Sequence, residues 1–354
     1  MKRPVVDEIR AEQSLRDAVR RETDSLRSRM ALVTQERDKL LQQLRLIESL
    51  DTSRIERPGW LLPSRKKGID HRATLNILIT DTHFDEVVDP AEVEGINAYN
   101  REIAELRLRR CVERIIRLAR HYLSGVTYDG VALFYGGDIF SGNIHEELAR
   151  TNADTLFGSL LHWLGPMVQS LEMLAEEFKR VHIVAVPGNH GRMTRKPIAK
   201  QRAADNLDWL LYRLMARELT RDQRFTWEIP QSADAHVQIY NTRYLLTHGD
   251  QFRGGSGISG AMAPLLLGTH RKTRRQAAAG RPYDTLVCGH WHQQILLPSR
   301  GLLVGGCLKG YDEWAYVSNF ESEPAQQALW LTTPERGITF WAPVFVSDRK
   351  LEGW

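Results

Sequence analysis

Apolar positions along this chain follow three rhythms in succession. Between Val5 and Arg57 there is no glycine or proline, charges of both signs are dense, and Val19, Leu26, Met30, Val33, Leu40, Leu44 and Ile47 recur near heptad a/d spacing. The pattern predicts one long helix over residues 1–57. Its apolar seam is narrow and broken by Glu22 and Arg37, so the helix is marginal alone and stable when paired as a coiled coil. The expectation is a stalk for homo-oligomerisation or partner docking, set against a solvated helix that folds back on its own domain. Pro58-Gly59 ends the helix, and the basic turn Ser64-Arg65-Lys66-Lys67-Gly68 reads as a linker over 58–69.

From Asp70 onward, short β-branched runs alternate with amphipathic segments, which predicts a layered α/β domain over 70–354. The expected strands are Leu75–Thr80, Val131–Tyr135, Val181–Val186, Tyr244–Thr247 and Thr285–Cys288. Each runs into a polar cluster: Asp81-Thr82-His83, Gly136-Gly137-Asp138, Pro187-Gly188-Asn189-His190, His248-Gly249-Asp250, and Gly289-His290-Trp291-His292. Ligands of open α/β sheets bind beyond the carboxyl ends of the strands, so these clusters can converge on one edge. A third rhythm, strict alternation at Leu302–Gly305, Gln327–Thr332 and Ile338–Val346, predicts antiparallel strands that close the domain.

Composition narrows the class. The 354 residues are 42% hydrophobic and 26% charged, ordinary for a globular chain with a real core. A net charge of +4 favours anionic partners only weakly. Cys111, Cys288 and Cys307 form no CxxC pair and read as reduced thiols of a cytoplasmic protein. No secretory signal follows Met1-Lys2-Arg3-Pro4, and the apolar stretch Leu156 to Ala175 is interrupted by His162, Pro166, Gln169 and Glu172, which argues against a membrane span.

Singly, a D-x-H or a Gly-Asp at a strand end is an ordinary turn. In the order D-x-H, G-D, G-N-H, H and G-H-x-H, running from Leu75 to Gln293, the clusters resemble the calcineurin-like metallophosphoesterase superfamily. That resemblance implies a layered α-β-β-α sandwich and a hydrolase with two divalent cations. It assigns Asp81, His83 and His292 to one ion and Asn189, His248 and His290 to the other, with Asp138 shared. His190 would be the catalytic proton donor or electrostatic stabiliser at the leaving group. Two cations about 3.5–4 Å apart clamp a phosphate and hold the hydroxide that attacks it. Ligands of nitrogen and oxygen without sulfur suit Mn²⁺, Fe²⁺, Zn²⁺ or Ni²⁺, and Mn²⁺ is the first choice by the resemblance to nuclease members. Ile139-Phe140-Ser141 stand where purple acid phosphatases place a tyrosine, so a tyrosinate iron site is not expected. Relatives often carry an acidic residue after G-N-H to orient the histidine. Here Gly191 and Arg192 follow, and Asp205 or Asp250 is expected to take over that role. His71, His121, His145, His162, His182, His236 and His270 match no motif and read as surface or core residues, and Cys288 and Trp291 as packing.

The G-D-x-V-D-R-G block of phosphoprotein phosphatases is missing, which argues against a Ser/Thr phosphatase. Gly137-Asp138-Ile139-Phe140 is similar to the G-D-[LI]-F of SbcD-type exonucleases, and Leu308 to Glu313 to phosphoesterases of tailed bacteriophages. Basic segments containing Arg192 and Arg195, and Arg271 and Lys272, flank the motifs and are expected to contact substrate phosphate, so that the enzyme cleaves phosphodiester bonds in DNA or RNA. The alternatives are a phosphatase or phosphodiesterase for small nucleotides, and a non-catalytic scaffold. Gly254 to Gly260 is read as a flexible lid; it lacks the Lys-Ser/Thr ending of a nucleotide P-loop.

Overall fold

The computed structural model describes residues 4–49, 59–61, 71–253 and 262–354. Of the linker 58–69 only 59–61 lies within them, and the glycine-rich 254–260 falls outside. The chain divides into two compact units, Met1–Arg54 and Ile55–Trp354.

The first unit is a single helix, α1 (Pro4–Ser49). Beyond Pro4 at its first position, it has no glycine, proline or extended β-branched run to interrupt the hydrogen-bonded ladder. Val19, Leu26, Met30 and Val33 stand exposed along it.

The second unit holds two sheets. β1 (Arg72–Ile79), β2 (Thr127–Tyr135), β3 (Val181–Ala185) and β4 (Phe225–Glu228) run parallel, and β10 (Gln326–Thr333) joins β1 antiparallel, followed by β11 (Gly337–Phe345). The second sheet has the order β5 (Asp234–Ile239), β6 (Thr242–Thr247), β7 (Thr285–Cys288), β9 (Leu302–Val304) and β8 (Ile295–Leu297), with β6, β7 and β9 parallel. Strands β4, β5 and β8 were not expected. They are short, and β5 alternates buried Ala235, Val237 and Ile239 with polar residues in a segment that reads as loop.

Alternation along the strands builds the layers. Leu75, Ile77, Leu133, Val131 and Ile183 face a core shared with α2 (Arg101–Arg117), α4 (Leu156–Phe178) and α5 (Leu207–Glu218). Their neighbours Leu78, Ala132, Phe134 and Val184 turn the other way, onto Val237, Leu246, Val287 and Leu303 of the second sheet. The outer face of that sheet, Leu245, Leu286 and Val304, packs with Leu265 of α6 (Met262–Ala278). The result is an α-β-β-α sandwich. The apolar stretch from Leu156 is α4, a core helix with Pro166 inside it, and no helix among the described residues is long and apolar enough to cross a membrane.

β10 completes the core on the far side of β1. Buried Gln327 clamps the end of β1: its Oε1 accepts from Thr80 N at 2.9 Å and its Nε2 donates to Thr80 O at 3.0 Å. Phe84 stacks on Trp163 of α4 at 3.7 Å and so anchors the loop after β1 in the core.

Candidate metal centre

The loops that leave β1 and β2 are zipped together by their backbones. Asp81 N donates to Gly137 O (3.0 Å), His83 N to Asp138 O (3.1 Å) and Phe84 N to Ile139 O (2.8 Å). Two further strand-end loops are drawn in by carboxylates: His190 N donates to Asp138 Oδ1 (2.7 Å) and His290 N to Asp81 Oδ2 (2.9 Å). Asp81, His83, Asp138, His290 and His292 all adopt left-handed φ, between 46° and 70°. Non-glycine residues avoid that region at a cost of about 1–3 kcal/mol each, and hold it where the surroundings over-determine it, most often at functional sites.

The side chains so placed converge. Asp81, His83 and His292 form one group of donor atoms lying within 4.8 Å of one another, and Asp138, His248 and His290 a second; Asp138 also belongs to a third with His83 and His190. Asn189 Oδ1 lies 3.1 Å from His248 Nε2, and His248 Nε2 lies 2.9 Å from Asp138 Oδ2. His83 Nε2 and His292 Nε2 face each other at 3.2 Å.

Partners behind the rings fix which nitrogen faces inward. A carbonyl only accepts, so His248 Nδ1 donates to Gly136 O at 2.8 Å, leaving Nε2 for the centre, and His190 Nδ1 donates to Ser141 O at 2.7 Å. His83 and His290 are held neutral, each with its pKa lowered to about 4, by burial first and then by the positive charge of Lys309 and His248 respectively. Burial also opposes a charge on His248, but the Asp138 carboxylate outweighs it and raises the pKa to about 10.

Three supports were not legible in the sequence. Asp208, fully buried at the start of α5, accepts from Asp138 N (2.9 Å), Ile139 N (3.2 Å) and Gly188 N (3.0 Å), so one carboxylate staples the loops after β2 and β3. Glu86 lies 3.3 Å from His83 Nδ1 and accepts from Lys309 Nζ at 2.7 Å, and Lys309 also pairs with Asp312. His145, unassigned by motif, sits with its ring 5.9 Å from that of His190.

Other expectations need correcting. Neither Asp205 nor Asp250 orients His190: Ser141 O does, and Asp250 pairs with Arg202 at 2.6 Å. An acidic residue at position 191 has no room, since a Cβ there would run into Asn206 Oδ1 and the Asp208 carboxylate. Arg192 spends its guanidinium on the carbonyls of Asn189, Thr194 and Arg195, shaping its own loop. Lys272 is only 4% exposed and bonds Asp234 (2.7 Å) and Gln251 (2.8 Å), so it does not face the cleft. Arg195 is exposed beside Glu146, and Arg271 is exposed on α6. None of the four lines the cleft over the centre.

The residues fit a pair of divalent cations. Asp81 Oδ1 is buried with no hydrogen-bond partner, while its Oδ2 is taken by Thr80 Oγ1 and His290 N. Burial first and then the negative charge of Asp138 raise the Asp208 pKa to about 7, and positive charge at the centre would relieve that repulsion.

No family model matches the chain, and no curated protein does. Among solved structures, a predicted phosphoesterase of Streptococcus pneumoniae is similar at 12% identity, with 77% of this chain and 98% of that one covered and a TM-score of 0.28. Vps29 of Entamoeba histolytica, solved with Zn²⁺, gives 14%, 77%, 99% and 0.29. A dimetal phosphatase of Danio rerio gives 11%, 77%, 99% and 0.32.

Proposed function

We propose that this chain is a hydrolase that cleaves phosphoesters with two divalent cations, Mn²⁺ first among them. Asp81, His83 and His292 would hold one, Asn189, His248 and His290 the other, and Asp138 both. The observation that carries the proposal is the membership of Asp138 in donor groups on either side of it. Such a pair, when bound, polarises phosphoryl oxygens and makes water a nucleophile near neutral pH.

The chain's own groups do the rest. The carbonyl of Ser141 accepts from His190 Nδ1–H, which leaves Nε2 for the cleft the ring lines, where it would serve the departing oxygen. Asp81 and Asp138 orient the loops of His290 and His190 through their backbone N–H groups, so the donors are preorganised. His190→Gln is expected to keep both metals. It should lose about 10²–10⁴ in rate on a nucleotide ester and far less on a nitrophenyl ester, whose leaving group barely needs a proton. Equal losses on the two esters would remove the proton-donor role.

For substrate we infer a nucleotide phosphodiester bound as a short or terminal unit. Among the described residues the cleft is lined by Glu86, Glu147, Asp312, Glu321 and Glu323 against Lys309 as the one lysine or arginine, and the expected arginines lie elsewhere, which disfavours a long polyanionic track. Assaying the Mn²⁺-loaded protein on dinucleotides, cyclic nucleotides, single-stranded DNA, duplex DNA and RNA tests this. Faster cleavage of duplex DNA than of dinucleotides would restore the polynucleotide reading, and bound metal without turnover on any ester would favour the scaffold.

The exposed apolar residues of α1 support self-association through a coiled coil. With Val19, Leu26 and Val33 at d, Glu22 at g and Arg27 at e of a parallel partner have opposite charge. Removing residues 1–57 is expected to lower the number of chains per particle measured by light scattering and to leave hydrolysis of a small diester unchanged. An unchanged number of chains would exclude the stalk.

A further inference from the structure

The cleft over the centre has a volume of about 780 Å³, within the roughly 300–1,000 Å³ that holds a ligand far larger than one phosphate. Part of its wall is a short aromatic ledge. Trp314, on α7 (Glu313–Val317), is 64% exposed, and Phe320 is 48% exposed with its ring 5.1 Å from that of Trp314. Large aromatics left open to water beside a polar site are a cost unless something covers them.

We propose that this ledge binds the nucleobase of the substrate, with Trp314 and Phe320 as the stacking surface and Glu321 beside them as acceptor for base N–H groups. The assignment rests on the phosphoester reading above and extends it to a second contact site.

Three observations favour a base over other occupants. The ledge is rigidly tied to the centre: Asp312 caps α7 through Ala315 N (2.7 Å) and pairs with Lys309, which bonds the Glu86 that backs His83. Tyr311 Oη donates to Phe320 O at 2.9 Å and pins the far end. A ligand held at His83 and His190 is thus presented to a fixed surface. Charge also separates along the cleft. The donor-rich centre suits the phosphate, whereas Glu321, next to Phe320 in the chain, repels further phosphates and suits a neutral heterocycle carrying amino or imino hydrogens. Stacking on aromatic faces tolerates every base, so the ledge supplies affinity while the carboxylate biases the choice.

The test is calorimetric and independent of turnover. The full chain with Mn²⁺ is titrated with the phosphonate analogue of AMP, in which carbon replaces the bridging 5′ oxygen, and with the matching base-free ribose phosphonate. The nucleotide analogue should bind at least about tenfold more tightly than the base-free one. Trp314→Ala and Phe320→Ala should each erase most of that difference and leave the base-free affinity unchanged, which also shows that the variants are folded. Glu321→Gln should alter the ranking among analogues of AMP, GMP, CMP and UMP. Equal affinities in the unaltered protein, or a difference that survives both alanine variants, would overturn the assignment and leave the ledge to a protein partner. Hydrolysis of the methyl ester of ribose 5-phosphate reports separately on the catalytic reading, because it needs no ledge.

Discussion

Asp138→Asn is expected to lower Mn²⁺-dependent hydrolysis by about 10³ or more while leaving the fold intact. The amide still offers an oxygen to His190 N–H, so the loop after β3 keeps its tether. What disappears is the negative charge that both donor groups share and that His248 Nε2 meets at 2.9 Å. The core formed by β1, β2 and β3 with α2, α4 and α5 owes nothing to that charge, so circular dichroism and Tm should change little. Metal analysis should fall below two ions per chain. A variant that retained two metals and full turnover would remove Asp138 from the centre.

Asp208→Ala should cost both stability and rate, although the side chain lines no part of the cleft. Truncation leaves the N–H groups of Asp138, Ile139 and Gly188 buried without their acceptor. Each such orphan costs about 1–3 kcal/mol, and relief of a buried carboxylate offsets part of the sum, so a net loss of roughly 2–4 kcal/mol is expected in urea denaturation. The two loops then lose their common anchor. Metal affinity and kcat should fall by about 10–100-fold, as for other groups that hold ligands in place. The measurement is made at a temperature where the variant is still folded. Asp208→Asn keeps the volume and one acceptor oxygen, and should recover part of the loss. Unchanged metal affinity and kcat in a folded alanine variant would make Asp208 merely a packing residue.

That Asp81, His83, Asp138, His248, His290 and His292 come together was legible from the order of their strand-end clusters, since each cluster alone is an ordinary turn. Their partners were not. Asp208 opens an amphipathic helix, where an acidic residue is expected for the helix dipole alone. Glu86 and Lys309 lie 223 residues apart, and nothing in either segment pairs it with the other. The basic look of Lys272 misled because its partner Asp234 sits on β5, a strand too short and too polar to announce itself. Left-handed φ at Asp81, His83, His290 and His292 is equally silent, since glycine usually signals that region and none occupies these positions.

The pairing of β10 with β1 has a consequence for how the protein is made. Asn76 on β1 bonds Trp330 O across 254 residues, and Asp81 O accepts from Leu308 N, so the loop after β1 is gripped by segments synthesised far later. At about 5–20 residues per second, the strand that bears Asp81 waits on the order of ten seconds or more with one edge unpaired. Every proposed ligand has been synthesised well before then. A chain that stops short of Gln326 therefore carries the full set of proposed donors and still lacks the Gln327 clamp on Thr80, next to Asp81.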